Sequence, residues 1–289
     1  MPFPAGGGGD TLARTVLSRA TTVLGQPVVF DNVGGAGGNI GSAMAARSEP
    51  NGYTALYGTN GTFGINHTLY PKTGFDPVKD FVPVTRLTEI PLVLAVRDGA
   101  PFKTVADLIK EAKSHPGKIT FASAGSGTTG HLVVEMLKSQ LGLHMLHVPY
   151  RGGGPGLTAL MGGEVDFMFD VTASLAPHVK SGRLKALAVS TRERLPTMPD
   201  VPTLAESVAP GFHVTAWDGI FVPTGTPTDV ISVLLKAIQS ALADRETQNA
   251  LALRGATPNP LSGEDFSRFV RAEIERWGKV VKSSSATVN

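Results

Sequence analysis

Gly6-Gly7-Gly8-Gly9-Asp10-Thr11-Leu12-Ala13-Arg14-Thr15-Val16, running on to Leu24 and Gly25, is the stretch from which the fold is read. Leu12, Val16, Ala20 and Val23 recur at helical spacing, with Asp10 placed as an N-cap and Gly25 as a C-terminal stop. A helix is therefore predicted directly after four consecutive glycines. The β-branched run Val28-Val29-Phe30 that follows reads as a strand. Glycine lets another group approach the backbone N–H groups with no Cβ in the way. A helix N-terminus adds unpaired donors and partial positive charge, so a glycine turn opening a helix suits an anion.

The same grammar extends outward. Asn39 to Arg47 reads as a helix, and strand-like runs recur at Ala55–Tyr57, Leu92–Val96, Ile119–Ala122, Met145–Val148, Val165–Phe169, Ala186–Val189 and Gly219–Val222. Helical patterns separate many of them. Thr104 and Asp107 form a capping-box pattern, Thr226-Pro227-Thr228-Asp229 opens another helix, and Phe266, Phe269, Val270, Ile274 and Trp277 share a side of the last one. This alternation predicts α/β layers with helices covering a mostly parallel sheet. Ligands in such sheets sit beyond the carboxyl ends of the strands. Three more glycine-rich loops fall at or near such ends: Gly34–Gly38, Gly125-Ser126-Gly127-Thr128-Thr129-Gly130 and Gly152-Gly153-Gly154-Pro155-Gly156.

A length of 289 residues suggests about two domains. Net charge is only +2, with no block of like charges, which argues against nucleic acid or an anionic membrane as main partner. With no cysteine there are no disulfides, thiolate nucleophiles, zinc-thiolate sites or iron–sulfur clusters. No apolar run approaches a membrane span, so no direct membrane insertion is expected. The tail from Ser283 to Asn289 is expected to fray.

Phosphate lacks its common signatures, because neither the first nor the third loop ends in Gly-Lys-Ser/Thr. A carboxylate remains. Ser126 with His131 or His147 and Asp170 has the residue types of a hydrolase, yet Ala124-Gly125-Ser126-Gly127 is not a Gly-x-Ser-x-Gly elbow. His144 and His147 would point to opposite faces of a strand, and no His-Glu-x-x-His occurs, so no metal site is expected.

Five ordered motifs then carry a family resemblance. They are Pro2-Phe3-Pro4-Ala5 with Gly6 to Asp10, Asn32-Val33 through Ile40-Gly41, Gly125 through Leu132, Val148-Pro149-Tyr150-Arg151-Gly152-Gly153, and Gly162-Gly163-Glu164-Val165-Asp166. Together with Asp200-Val201-Pro202-Thr203 and Phe221 to Pro227, they make the chain resemble the TctC-like (Bug) solute receptors over nearly its whole length. These are extracytoplasmic binding proteins of tripartite tricarboxylate transporters. The resemblance implies a two-lobed periplasmic-binding-protein (Venus flytrap) architecture whose lobes close around a small organic carboxylate, without catalysis or a cofactor. It implies a discontinuous first lobe of residues 1–98 and 219–289 and a second of 99–218, with crossings near Asp98–Pro101 and Ala216–Gly219.

Ligand-binding roles follow from the resemblance too. Phe3 and the backbone of Gly6, Gly7, Gly8 and Gly9 would line the first-lobe floor, with the helix from Asp10 aiming its dipole at a carboxylate. Thr59 and Asn60 would add donors. Ser126, Thr128 and Thr129 would act from the second lobe with Gly152, Gly153 and Gly154, while Asp170 would hold a water or orient a donor. Trp217 would cover the cleft, and Arg151 is a candidate partner for a second carboxylate. In relatives an export signal and more of an apolar first strand precede the Pro-Phe-Pro motif. Here Met1 stands where that strand would end, so periplasmic export is an expectation for the parent protein. Transporter membrane components are the expected partners. The alternative is a hydrolase-like enzyme acting on a carboxylate or acyl substrate.

Overall fold

The computed structural model describes residues 1–6, 8–150, 152–284 and 286. Along the chain lie α1 (Gly8–Leu24), α2 (Asn39–Ala46), β1 (Leu56–Thr59), α3 (Asn66–Leu69), β2 (Phe81–Arg97), α4 (Val105–Ser114), β3 (Thr120–Ser123) and α5 (Thr129–Leu141). Then come β4 (Leu146–Pro149), α6 (Gly153–Gly162), β5 (Phe167–Val171), α7 (Thr172–Lys180), β6 (Leu184–Val189) and α8 (Leu204–Ser207). The chain ends with β7 (Thr215–Pro223), α9 (Thr228–Ala243), α10 (Arg245–Leu253), β8 (Thr257–Ser262) and α11 (Gly263–Ser283). No helix among the described residues is long and apolar enough to cross a membrane.

The elements form two compact units, one from Met1–Glu89 with Trp217–Lys282 and one from Ile90–Ala216. The first boundary between these units falls inside β2. The physical reason is that β2 runs unbroken through both: Thr85–Glu89 pair with β8, and Leu92–Arg97 pair with β5 and β6.

In the first unit the strand order is β1, β7, β2, with β8 also on β2. β1 and β7 are antiparallel, with Leu56 opposite Phe221, Gly58 opposite Gly219 and Thr59 opposite Asp218. Strand alternation sorts this ribbon into two faces. Leu56, Trp217 and Phe221 join Phe63, Phe75, Phe81, Phe266 and Val270 in an aromatic core. Gly58 and Gly219 make room for it, since a Cβ on either would lie 2.6 Å from a phenylalanine ring. Phe63 stacks on Phe221 at 3.7 Å; full burial of each ring contributes about 2 kcal/mol. α11 brings Phe266, Val270 and Trp277 into the interior on its 3.6-residue stripe.

In the second unit, β2 lies between β5 and β6 and is antiparallel to both. β3 runs parallel to β5 and β4. Val93, Ala122, Leu160, Met168, Leu175 and Val189 form the core. The predicted capping box at Thr104 and Asp107 is present, and a second one joins Thr203 to Glu206. The mostly parallel sheet expected from sequence is instead mixed: parallel pairing occurs only in this unit, beside the antiparallel pairs of β2, and the registered pairs of the first unit are antiparallel.

Two strand expectations need correction. Val28–Phe30 forms no strand: Val29 is 86% exposed, and the pairing nearby lies further along, where Val33 N–H donates to Met1 O and the Met1 amino group donates to Asp31 O. β8 escaped notice because Thr257-Pro258-Asn259-Pro260 has two residues without an N–H; prolines fit a strand that pairs on one side.

Candidate functional site

In the first unit, α1 begins at Gly8, so Asp10 falls inside its first turn rather than at the cap. The Asp10 carboxylate is buried and accepts from Gly6 N–H at 2.9 Å, Arg14 Nε at 2.8 Å and Asn32 Nδ2 at 2.9 Å. Asn32 Nδ2 also donates to Phe3 O, and Arg14 reaches Asn32 Oδ1 while lying over the Phe30 ring. The hydrogen bond from Arg14 holds the Asp10 carboxyl well below the usual carboxylate range. Asp10 is therefore an internal anion that fixes the glycine turn, and it offers no donor to a ligand.

Behind that turn lies a buried polar relay that sequence inspection missed. A Cβ on Gly9 would lie 3.2 Å from the Tyr57 ring, whose hydroxyl donates to Asp218 Oδ2 at 2.6 Å. Asp218 Oδ1 accepts from Thr88 N–H at 2.9 Å and Thr88 Oγ1 at 2.7 Å. Burial raises the pKa of both Asp218 and Tyr57. Phe3 sits edge-on to Tyr57. Thr59 and Asn60 follow β1, with Thr59 N–H donating to Thr62 Oγ1 as the chain enters the helical turn at Gly61. The signal for Asp218 was the period-2 alternation of Thr215–Pro223, which turns Asp218 away from the aromatic face.

Trp217 requires a correction by the same alternation. It points to the core face, is 1% exposed, and packs against Phe266 and Phe269. Its indole N–H donates to Glu273 Oε2 at 2.9 Å, an oxygen that also accepts from Trp277. It packs the first unit's interior.

In the second unit, β3, β4 and β5 are parallel neighbours, so their following loops converge. Ser126 is exposed at the tip of the first of these loops, and Thr128 stands at the N-cap of α5 with Thr129 opening the helix. Thr128 N–H and Oγ1 both donate to Gly125 O, closing the turn. Gly152 N–H donates to Ala124 O, tying the next loop to this one, and Gly153 and Gly154 open α6. Asp170, at the end of β5, accepts from Val171 N–H at 2.8 Å. A Cβ on Gly153 would lie 3.2 Å from its Oδ2. Burial raises the Asp170 pKa. The α5 start is pressed onto β5 so closely that a Cβ on Gly130 would lie 2.2 Å from Phe169 O.

The structure thus brings Ser126, Thr128, Thr129, Gly152, Gly153, Gly154 and Asp170 to one end of the second unit's sheet. It brings Phe3, Gly6, Gly8, Gly9 and Asp10 together at the start of α1 in the first unit. Gly7 and Arg151 lie outside the described residues.

The hydrolase grouping of Ser126, a histidine and Asp170 is replaced by other pairings. Ser123 Oγ lies 2.6 Å from His147 Nε2 and bonds both N–H and C=O of Gly125, while Gly127 N–H donates to His131 Nδ1. Ser123 is fully buried, which closes its hydroxyl to a substrate. His144 lies before β4 rather than on it. Among the described residues no group of three or more His, Asp, Glu or Cys stands together to hold a metal ion.

The pattern of the family described as "Tripartite tricarboxylate transporter family receptor" (TctC) matches residues 12–285. This chain belongs to that family. It is 34% identical to Protein BugT of Bordetella pertussis over 99% of this chain and 88% of that protein. Among solved structures it is similar to R. palustris Rpa4515 with adipate, at TM-score 0.87 and 35% identity over 99% and 96% of the two chains. It is also similar to MatC from Rhodopseudomonas palustris with bound malate, at TM-score 0.83 and 37% identity over 97% and 96%. The α/β architecture of this TctC-family chain is therefore that of these solved structures over nearly its whole length.

Proposed function

We propose that this protein is an extracytoplasmic, periplasmic receptor that captures a small organic carboxylate for the membrane components of a tripartite tricarboxylate transporter. The observation carrying this reading is membership of the transporter receptor family together with whole-chain similarity to two proteins whose structures hold adipate and malate. The glycine turns that open α1, α5 and α6 supply the physical means: backbone N–H groups and the positive ends of helix dipoles stabilise a carboxylate. The hydroxyls of Ser126, Thr128 and Thr129 add donors, as do Thr59 and Asn60. Asp10 and Asp170 act by holding donor segments in place. Closure upon a ligand requires contacts that favour the closed state, which shifts the population toward it.

A thermal-shift screen against adipate, malate, other carboxylates, nucleotides and neutral controls tests the reading. At free ligand about a hundredfold above Kd, binding adds about 2.7 kcal/mol of stability. A rise confined to particular carboxylates is expected. A preference for nucleotides, or turnover of a bound carboxylate, would overturn it.

A further inference from the structure

The geometry points to His131 as the positioning residue of the Gly125–Thr128 turn: its neutral ring holds Gly127 N–H, and protonation releases the turn and weakens carboxylate binding. The affinity part rests on the function proposed above; the positioning part stands on the hydrogen bonds alone.

His131 lies in the first turn of α5 and is 1% exposed. Its Nδ1 accepts Gly127 N–H at 3.1 Å. An acceptor nitrogen carries no proton, so the ring proton resides on Nε2. A second proton would set Nδ1–H against Gly127 N–H across the same short distance, turning a bond into a clash of donors. Gly127 lies between Ser126 and Thr128, so that loss falls within the proposed donor loop.

The titratable and charged groups that face the ring can be named. His147 of β4 stacks on the His131 ring at 3.7 Å, nearly parallel, with Phe121 beyond. From α5, Glu135 Oε1 lies 3.6 Å from His131 Nε2 and attracts the charged form, but Lys138 Nζ sits on that oxygen at 2.7 Å and offsets part of its charge. His147 itself is held neutral, its pKa pushed down to about 4 chiefly by burial and then by His131. The turn has two attachment points: Ser123 fixes Gly125, and His131 fixes Gly127.

The test uses the full chain labelled with nitrogen-15, titrated from about pH 8 to about pH 5.5, the range over which histidines change charge. In the wild type, the Gly127 amide shift and its exchange protection are expected to follow the His131 ring. In His131→Asn, whose side-chain oxygen replaces Nδ1 as acceptor without titrating, they should stay constant. A Gly127 amide indifferent to His131 titration overturns the positioning claim without any ligand. Calorimetry with adipate and malate provides the second arm. Wild-type affinity should fall roughly tenfold more than that of His131→Asn on acidification, the size expected for one hydrogen bond. Equal falls in both proteins overturn the affinity claim. Absence of binding to any carboxylate across the pH range overturns the proposed function and the affinity claim with it, while the amide titration still decides the positioning claim.

Discussion

Gly130 illustrates how a single position is decided by a distant neighbour. Alanine is intrinsically better than glycine inside a helix by about 1 kcal/mol. A Cβ here, however, would lie 2.2 Å from a backbone oxygen, Phe169 O, which cannot rotate away. Overpacking of this kind costs about 3 kcal/mol and wins. Gly130→Ala is therefore expected to lower the urea midpoint and weaken carboxylate binding together; a more stable variant would contradict the packing. His147 provides a residue-scale pH prediction. Its folded pKa of about 4 lies below the unfolded value of about 6.5, so the unfolded chain binds more protons between them. Its contribution is fully present above about pH 6.5 and is lost as pH falls toward about 4. His147→Gln should flatten that part of the stability profile measured by denaturant unfolding; an unchanged slope would refute the assignment. The glycines of this loop were legible in the sequence because loop glycines cluster. The histidine roles were not, because a lone histidine has no local signature until its partner is known.

At the scale of elements, Asp218 joins three strands: it lies on β7 and binds Tyr57 of β1 and Thr88 of β2. Replacing it with alanine strands one N–H and two hydroxyls in the interior, at a cost of about 3 kcal/mol. Asparagine keeps a carbonyl oxygen for Thr88 and should recover most of that loss. Equal destabilisation by Asp218→Ala and Asp218→Asn in chemical unfolding would show that the carboxylate's charge, rather than its acceptors, matters. Helices with marked ends, such as α4 with its capping box, were readable because the signal spans one turn. Most expected strands overlap observed ones, but β2 begins at Phe81 rather than near Leu92, β8 gave no signal, and Val28–Phe30 forms no strand. Strand faces were misjudged at Trp217, where a large aromatic near a crossing suggested a lid while the alternation of β7 placed it among Phe221 and Phe266.

Across the whole molecule, the first unit draws its core from two distant stretches of chain. Phe63, Phe75 and Phe81 come from one, and Trp217, Phe221, Phe266 and Val270 from the other. Neither stretch alone can bury these rings. The fragment of residues 1–89 is accordingly expected to melt without a cooperative transition by circular dichroism; a sigmoidal melt would show a self-sufficient core. The second unit is continuous through Ile90–Ala216 and keeps its core cluster intact within that span. The sequence indicated that the chain crosses between units twice. Turns such as Asp98–Pro101 are visible as composition, whereas the change of partners along β2, from β8 to β5 and β6, leaves no compositional break.

By itself, the sequence determined the α/β class, the helices with capped ends, the glycine turns that open α1, α5 and α6, and the ordered motifs that carry family membership. All of these depend on residues close together along the chain, where spacing and backbone freedom leave a direct imprint. The tertiary structure alone decided that Asp10 is tied to Gly6, Arg14 and Asn32, that Trp217 lies in the core, that Ser123 meets His147, and that Asp218 ties three strands. Those outcomes rest on hydrogen bonds and packing between separated positions, such as Tyr57 with Asp218, 161 residues apart. A side chain's chemistry is set by its partner, and only folding supplies the partner.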